Sequence, residues 1–350
     1  MTRRVAVVLG ATGVGGRALL SHLTKSPGWT VIAVSRKPPD FETSARHVAA
    51  DMSDPQSCRV AAQSLSDATH VFYTGYTDRP TWVEQRAPNA AMLANMIDAI
   101  EPAAEALEHV CLLQGTKYYG HHLGPYRTPA REDDARHMPP NFYFDQQDYL
   151  VAKSRGKRWS WSCARPHVIC GFGLGTPMNL IAVTAVYAAI SKELGLPLRY
   201  PGRPEAYRVI RQATQGELLA RAMTWMATTP SAANEAFNVT NGDHFRYENL
   251  WPRIAEFFEM PIGAPAPIDL QQFMPDKARL WGDMVRKYGL RVADFARVAD
   301  WRFAHYTFTS DWDQMSDTTK CRKHGFYEFV DTEQMFLDEL RRFREERVIP

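Results

Sequence analysis

Cysteine is scarce: the 350 residues hold five, Cys58, Cys111, Cys163, Cys170 and Cys321, and no two of them stand at CxxC spacing. That excludes a disulfide framework or a zinc ribbon, and the odd, scattered set points to reduced thiols in a cytoplasmic protein. Long apolar runs are missing too. The longest, residues 178–190, is interrupted by Asn179 and Thr184; it is too short for a membrane span and reads as a buried helix. Excess charge of one sign is absent: the net charge is +2, which leaves no electrostatic footprint for nucleic acid. There are no repeats or low-complexity tracts, and no secretory signal pattern, since Met1-Thr2-Arg3-Arg4 leads directly into an apolar strand. With 23% charged and 11% aromatic residues, the chain is an ordinary globular one, long enough for one large domain and a smaller lobe.

What is present begins at Val5-Ala6-Val7-Val8-Leu9-Gly10-Ala11-Thr12-Gly13-Val14-Gly15-Gly16. An apolar strand runs into a glycine turn, and a helix follows through Arg17-Ala18-Leu19-Leu20. Gly10, Gly13 and Gly16 have the spacing GxxGxxG, a relative of the dinucleotide fingerprint. Its glycines allow a tight turn and a close approach to a pyrophosphate seated on the helix N-terminus. Thr12 and Val14 lie in the same turn and are counted with the glycines as cofactor-binding positions.

Apolar runs alternate with helical segments along the front half. Residues 30–34 read as a second strand, 47–52 as a third, 70–73 as a fourth and 109–113 as a fifth, with a helix over 89–100. This alternation predicts an α/β, Rossmann-type doubly wound parallel sheet with ligands at the carboxyl ends of its strands. The second strand ends in Ser35-Arg36-Lys37, without the carboxylate that bonds a ribose 2′-hydroxyl. Two cations there suit a 2′-phosphate, so the cofactor expected is NADPH. Asp51, with Met52 beside it, is placed to meet the adenine, although Asp51 or Ser53 can equally cap the next helix. Thr74-Gly75-Tyr76 is the turn facing the cofactor.

Residues 121–140 break the pattern with prolines, glycines and charges and read as a long functional surface loop. A helix begins at Asn141, a strand over 159–166 closes at Pro166, an apolar helix spans 178–194, and a short strand within 233–241 returns to the sheet. We therefore divide the chain into residues 1–170, with a returning segment around 205–242, as the nucleotide-binding domain, and 171–204 with 243–350 as a smaller, mostly helical substrate lobe. The stretch Arg165-Pro166-His167-Val168-Ile169 is expected to pass the nicotinamide, with Pro166 and Ile169 in contact. Proline has no N–H, which leaves neighbouring backbone groups to bond the carboxamide. Thr176-Pro177-Met178 covers the phosphates or ribose from the other side.

Reductases with this front end carry Tyr-x-x-x-Lys on a helix. Tyr143 fails that test, because Gln147 stands four residues on, and Tyr126 fails it with Ala130. Tyr149 and Lys153 match as a string. His121, His122 and His167 have no carboxylate or cysteine at ligand spacing, so no metal is expected.

The segments Gln114-Gly115-Thr116-Lys117-Tyr118-Tyr119-Gly120 and Asn141-Phe142-Tyr143-Phe144 resemble motifs of the progesterone 5β-reductase/iridoid synthase-like family, an atypical branch of the short-chain dehydrogenases. Val34-Ser35-Arg36-Lys37, Trp161-Ser162 to Arg165-Pro166, Asn238-Val239-Thr240-Asn241-Gly242-Asp243 and His324-Gly325-Phe326 extend the similarity over nearly the whole chain. The resemblance implies Lys117 and Tyr143 as the catalytic pair, with Gln114 and Tyr143 also touching the cofactor. Two departures stand out: Phe144 replaces a second tyrosine, and Gln114-Gly115-Thr116 replaces Thr-Gly-Arg of the plant members. The implied activity is NADPH-dependent 1,4-reduction of an enone or enal. Tyr143 donates to the developing enolate, and the Lys117 ammonium favours the ionised phenol. The implied partner is a small-molecule substrate, with a homodimer left open. A nucleotide-sugar epimerase or dehydratase using Tyr149 and Lys153 is the alternative enzyme, and an NADP-sensing regulator without turnover the alternative outside enzymes.

Overall fold

The computed structural model describes residues 4–176 and 178–350. Seven parallel strands form one sheet: β1 (Arg4–Leu9), β2 (Trp29–Ser35), β3 (Arg46–Ala49), β4 (His70–Tyr73), β5 (His109–Leu113), β6 (Ser160–Pro166) and, after three short strands, β10 (Glu235–Val239). The short strands are β7 (Val168–Cys170), β8 (Leu198–Arg199) and β9 (Ala213–Gln215); β7 pairs with β9 outside the large sheet. The spatial order is β10-β6-β5-β4-β1-β2-β3, so the strand order reverses between β1 and β4. A doubly wound sheet opens its ligand crevice at that point.

The strand residues alternate between two helix layers. Val5, Val7 and Leu9 of β1 pack with α2 (Pro55–Ala62), α3 (Trp82–Ala103) and α4 (Phe142–Lys153) on one face. Ala6 and Val8 pack with α1 (Val14–Lys25) and the helix Gly216–Thr228 on the other. Such two-sided burial is why these strands read as continuous apolar runs.

A second core gathers around α5 (Leu180–Glu193). Every residue of α5 from Leu180 to Ser191 is buried, as expected of a helix apolar on all sides. Its neighbours are aromatic: the Phe308 ring lies 5.5 to 5.6 Å from those of Tyr200, Tyr247 and Trp251. All five cysteines are free and buried. No helix among the described residues is long and apolar enough to cross a membrane.

Three expectations need correction. The helix expected from residue 89 starts at Trp82, where Thr81 and Glu84 form a capping box, and it runs through Pro88 to Ala103. Packing against α2 and α4 carries the helix through Pro88. The third strand stops at Ala49, short of Asp51 and Met52. Neither Asp51 nor Ser53 caps α2: Asp54 does, accepting from the backbone N–H groups of Gln56 and Ser57.

Phe308 is fully buried, and Phe308→Ala leaves a cavity that its stacked neighbours cannot fill. Urea unfolding should show a loss of about 3–5 kcal/mol; a loss under about 1 kcal/mol would mean that the aromatic cluster collapses around the gap.

Candidate active site

The carboxyl ends of β1, β2, β4, β5 and β6 open into a cavity of about 940 Å³ that reaches from Ser35 and Arg36 at one end to Arg211 and Tyr306 at the other. The glycine turn forms its floor. Gly10 has φ +83°, and a Cβ there would lie 2.8 Å from the backbone nitrogen of Gly75. A Cβ on Gly16 would lie 2.4 Å from the Gly10 carbonyl oxygen. Gly13 differs: the nearest protein atom to its Cβ position is 3.8 Å away. The space above Gly13 is therefore open, at the N-terminus of a helix with no side-chain cap and no acidic residue in its first turn. Such an end is a cradle for a diphosphate. Thr74 locks the turn to β4, its hydroxyl donating to the carbonyls of Leu9 at 2.9 Å and Gly10 at 3.0 Å.

Thr12 and Val14 line the same floor. At the end of β2 the Ser35 hydroxyl donates to the Lys37 carbonyl at 2.6 Å, tightening the turn that holds Arg36 and Lys37 at the cavity edge. Both cations are exposed, and neither has an ion-pair partner among the described residues. Asp51 and Met52 border this end. One Asp51 oxygen already accepts from the Ser53 backbone N–H and hydroxyl, which lowers the acidity range of its carboxyl. Gly75, Tyr76, Pro166, Ile169, Thr176 and Met178 line the middle. Pro177 lies outside the described residues.

Lys117 and Tyr143 come from different elements, and both reach the cavity. Lys117 sits in the single turn Thr116–Tyr119 after β5, whose main chain is held by Asn141: the Asn141 side-chain amide donates to the Lys117 carbonyl at 2.8 Å. The same side chain caps α4, accepting from the Tyr143 N–H at 3.0 Å. Asn141 thus ties the two expected residues to one another. The Lys117 ammonium lies 4.5 Å from the Trp82 ring centroid and 4.0 Å from the Met178 sulfur, and no carboxylate pairs with it among the described residues. Burial pulls it down to about 8. The Tyr143 hydroxyl rests against Gly115, where a Cβ would come within 3.3 Å of it.

Burial pushes the Tyr143 phenol well above the usual tyrosine range, and no push from Lys117 offsets it.

Tyr149 and Lys153 are turned away. Both bond the same Asp98 oxygen, each at 2.7 Å, on the side of α4 that meets α3. Neither lines the cavity, so the helix-borne pair is an inter-helix brace. Gln147, in the position where a lysine was sought, accepts from Arg165 at 2.9 Å. Arg165 also donates to Gln114 at 2.9 Å, and Gln114 in turn donates to the Tyr143 carbonyl at 2.9 Å. Phe144 packs edge-on to Tyr118 in a separate cluster. Among the described residues no group of His, Cys, Asp and Glu could hold a metal.

Residues 43–350 match the family model described as a PRISE-like Rossmann-fold domain. The chain belongs to this family. An (S)-8-oxocitronellyl enol synthase of Camptotheca acuminata is 33% identical over 367 residues, covering 99% of this chain and 93% of the relative. A 3-oxo-Δ(4,5)-steroid 5β-reductase of Arabidopsis thaliana is also 33% identical, over 368 residues with the same coverage. Among solved structures, a UDP-glucose 4-epimerase of Thermotoga maritima superposes with a TM-score of 0.69 at 15% identity, covering 97% of this chain and 99% of that one. At that identity the likeness shows the fold alone. In this PRISE-like domain the cavity also holds residues that sequence reasoning missed, Trp82, Arg211 and Tyr306, beside His121 of the expected functional loop. None stands in a recognisable local pattern, and only the tertiary fold assembles them.

Because burial disfavours the Lys117 charge, its cost to folding is fully present below about pH 8 and is relieved as pH rises towards 10.5. After reductive ¹³C-methylation, one lysine resonance should titrate near pH 8 and vanish in Lys117→Met. Titration of that resonance together with the surface lysines would show that the ammonium is solvated.

Proposed function

We propose that the protein is an NADPH-dependent reductase of activated C=C bonds, adding hydride 1,4 to an enone or enal. The observation that carries this reading is the convergence of a phenol and a half-buried ammonium, Tyr143 and Lys117, on one cavity floored by a dinucleotide cradle. The relatives named as a steroid 5β-reductase and as enol synthases support it.

The residues fit the cofactor. Gly13 and the uncapped end of α1 would hold the diphosphate, and Arg36 with Lys37 the 2′-phosphate. When bound, NADPH supplies the hydride. The substrate carbonyl oxygen gains negative charge as the β-carbon is reduced, and the Tyr143 hydroxyl donates to that oxygen. The Arg165–Gln114 bridge fixes the Tyr143 main chain, so the donor is positioned before the charge develops. Lys117 supplies a positive field in a region where little water screens it, and that field counts most when the enolate forms. The α-carbon of the enolate then takes a proton from solvent, which completes the reduction. The epimerase alternative needs Tyr149 and Lys153 at the reacting centre, and the Asp98 brace holds them elsewhere.

Tyr143→Phe removes only the oxygen and should lower kcat by a factor of roughly 10² to 10³ with NADPH affinity unchanged. Tyr149→Phe should stay within about twofold, as expected for a substitution away from the site. The opposite pattern in NADPH-consumption assays would transfer the chemistry to the helix-borne pair. Fluorescence titration tests the cofactor: the unmutated protein should prefer NADPH over NADH. Arg36→Ala with Lys37→Ala should weaken NADPH by about ten- to hundredfold while leaving NADH nearly unchanged. Equal affinities in the unmutated protein would reject the preference.

A further inference from the structure

At the end of the cavity remote from Ser35 sits Arg211, 3% exposed. Its main chain is pinned in both directions to Phe245, by an N–H donated at 2.9 Å and one accepted at 3.0 Å. Its guanidinium lies 5.2 Å from the Tyr247 ring, and one terminal nitrogen donates to the Ser310 carbonyl. The Nε is buried without any partner, and no carboxylate pairs with the side chain among the described residues. Asp313 is engaged at 2.8 Å by the N–H of Ile210, the residue before Arg211.

The acidic residues on the cavity wall are all near other partners. Asp40 pairs with Arg17 and Asp78 with Arg302, Asp51 holds Ser53, and Asp300 caps the helix Trp301–Thr309. Around Arg211 the wall is instead Gln212, Phe245, Tyr247 and Tyr306. The Gln212 amide is already used, its oxygen accepting from the Ser316 N–H at 2.8 Å and its nitrogen meeting His244 at 3.2 Å. The His121 ring meets the Tyr306 hydroxyl at 3.3 Å and is disfavoured from protonation by burial first, with smaller pushes from His167, Lys117, His122 and Arg211. Arg211 thus lines the cavity beside Gln212, Phe245, Tyr247 and Tyr306, with no acid of the wall paired to it.

A buried guanidinium with an open donor and no counter-ion is costly unless an anion arrives to meet it. Arginine is the side chain whose planar fork suits a carboxylate. We infer that Arg211 is a specificity-determining residue that binds a carboxylate on the substrate, so that the preferred substrate is an enone or enal carrying a carboxylate remote from its conjugated carbonyl. This inference rests on the reductase reading and narrows it.

The test uses linear enones of graded length ending in a carboxylate, each compared with its methyl ester, and a saturated keto acid of the best length as a non-reacting ligand. The unmutated protein should favour the acid over the ester in kcat/KM by about ten- to hundredfold, the range of one charge-assisted contact. Arg211→Met should abolish that preference by lowering turnover of the acid, while turnover of the ester and affinity for NADPH hold. Arg211→Lys should restore part of it. Equal loss for acid and ester would make Arg211 a structural residue and overturn the inference, as would equal turnover of both by the unmutated protein. If no enone is reduced, calorimetry with the saturated keto acid still decides. Binding lost in Arg211→Met keeps the carboxylate site and sinks the reductase reading; keto-acid binding that is absent, or unchanged in the variant, sinks the carboxylate site.

Discussion

The candidate site depends on a single buried cation that does no chemistry. Arg165, at the end of β6, joins the ends of neighbouring elements through Gln114 after β5, Gln147 on α4 and the Tyr119 hydroxyl. Its guanidinium stacks 3.3 Å from the Tyr118 ring centroid. Tyr119 in turn donates to Asn238 of β10 at 2.6 Å, and Asn238 reaches back to the carbonyl of Ala130 at 3.0 Å. One planar five-donor group thus sets the spacing of a strand end, a helix and a long loop. Buried donors must be matched in full, so this network admits little slack. Tyr143 inherits its position from that constraint.

Much of the fold was legible because its signals are local. The GxxGxxG turn, the two-sided apolar strands and the helix over residues 178–194 each declare themselves within about a dozen residues. Misreadings arose at element ends: the helix expected from residue 89 begins at Trp82, and Asp54, not Asp51 or Ser53, caps α2. The site was legible in a different manner. Lys117 and Tyr143 stood out only through resemblance, because the link between them is Asn141, which bonds one residue's carbonyl and the other's N–H. The upward push on the Tyr143 phenol was not legible at all, since it comes from burial among residues distant in sequence. Arg211 was silent for the same reason: an arginine between Ile210 and Gln212 gives no sign that folding will strip it of water and counter-ion.

Cations without anions recur along this cavity, at Arg36, Lys37, Lys117 and Arg211. Folding bears the desolvation of the buried pair, and carboxylates that would relieve it are placed elsewhere. The result is a wall polarised in advance. Negative charge entering with a cofactor, or developing on a substrate, meets dipoles and charges that need not reorganise. Lys117 illustrates the compromise: buried enough for its field to act unscreened, yet with an ammonium range of about 8 it keeps its proton at neutral pH.

The buried cysteines acquire a meaning from the proposed substrate. Conjugated enones are electrophiles that alkylate thiolates, and an enzyme working on them is exposed to inactivation by its own substrate. Here every thiol is enclosed, and burial pushes Cys58 up to about 11 and Cys111 and Cys163 up to about 12. Thiolate, the reactive form, is nearly absent at neutral pH. The thiols are withheld from the class of molecule the cavity is proposed to admit.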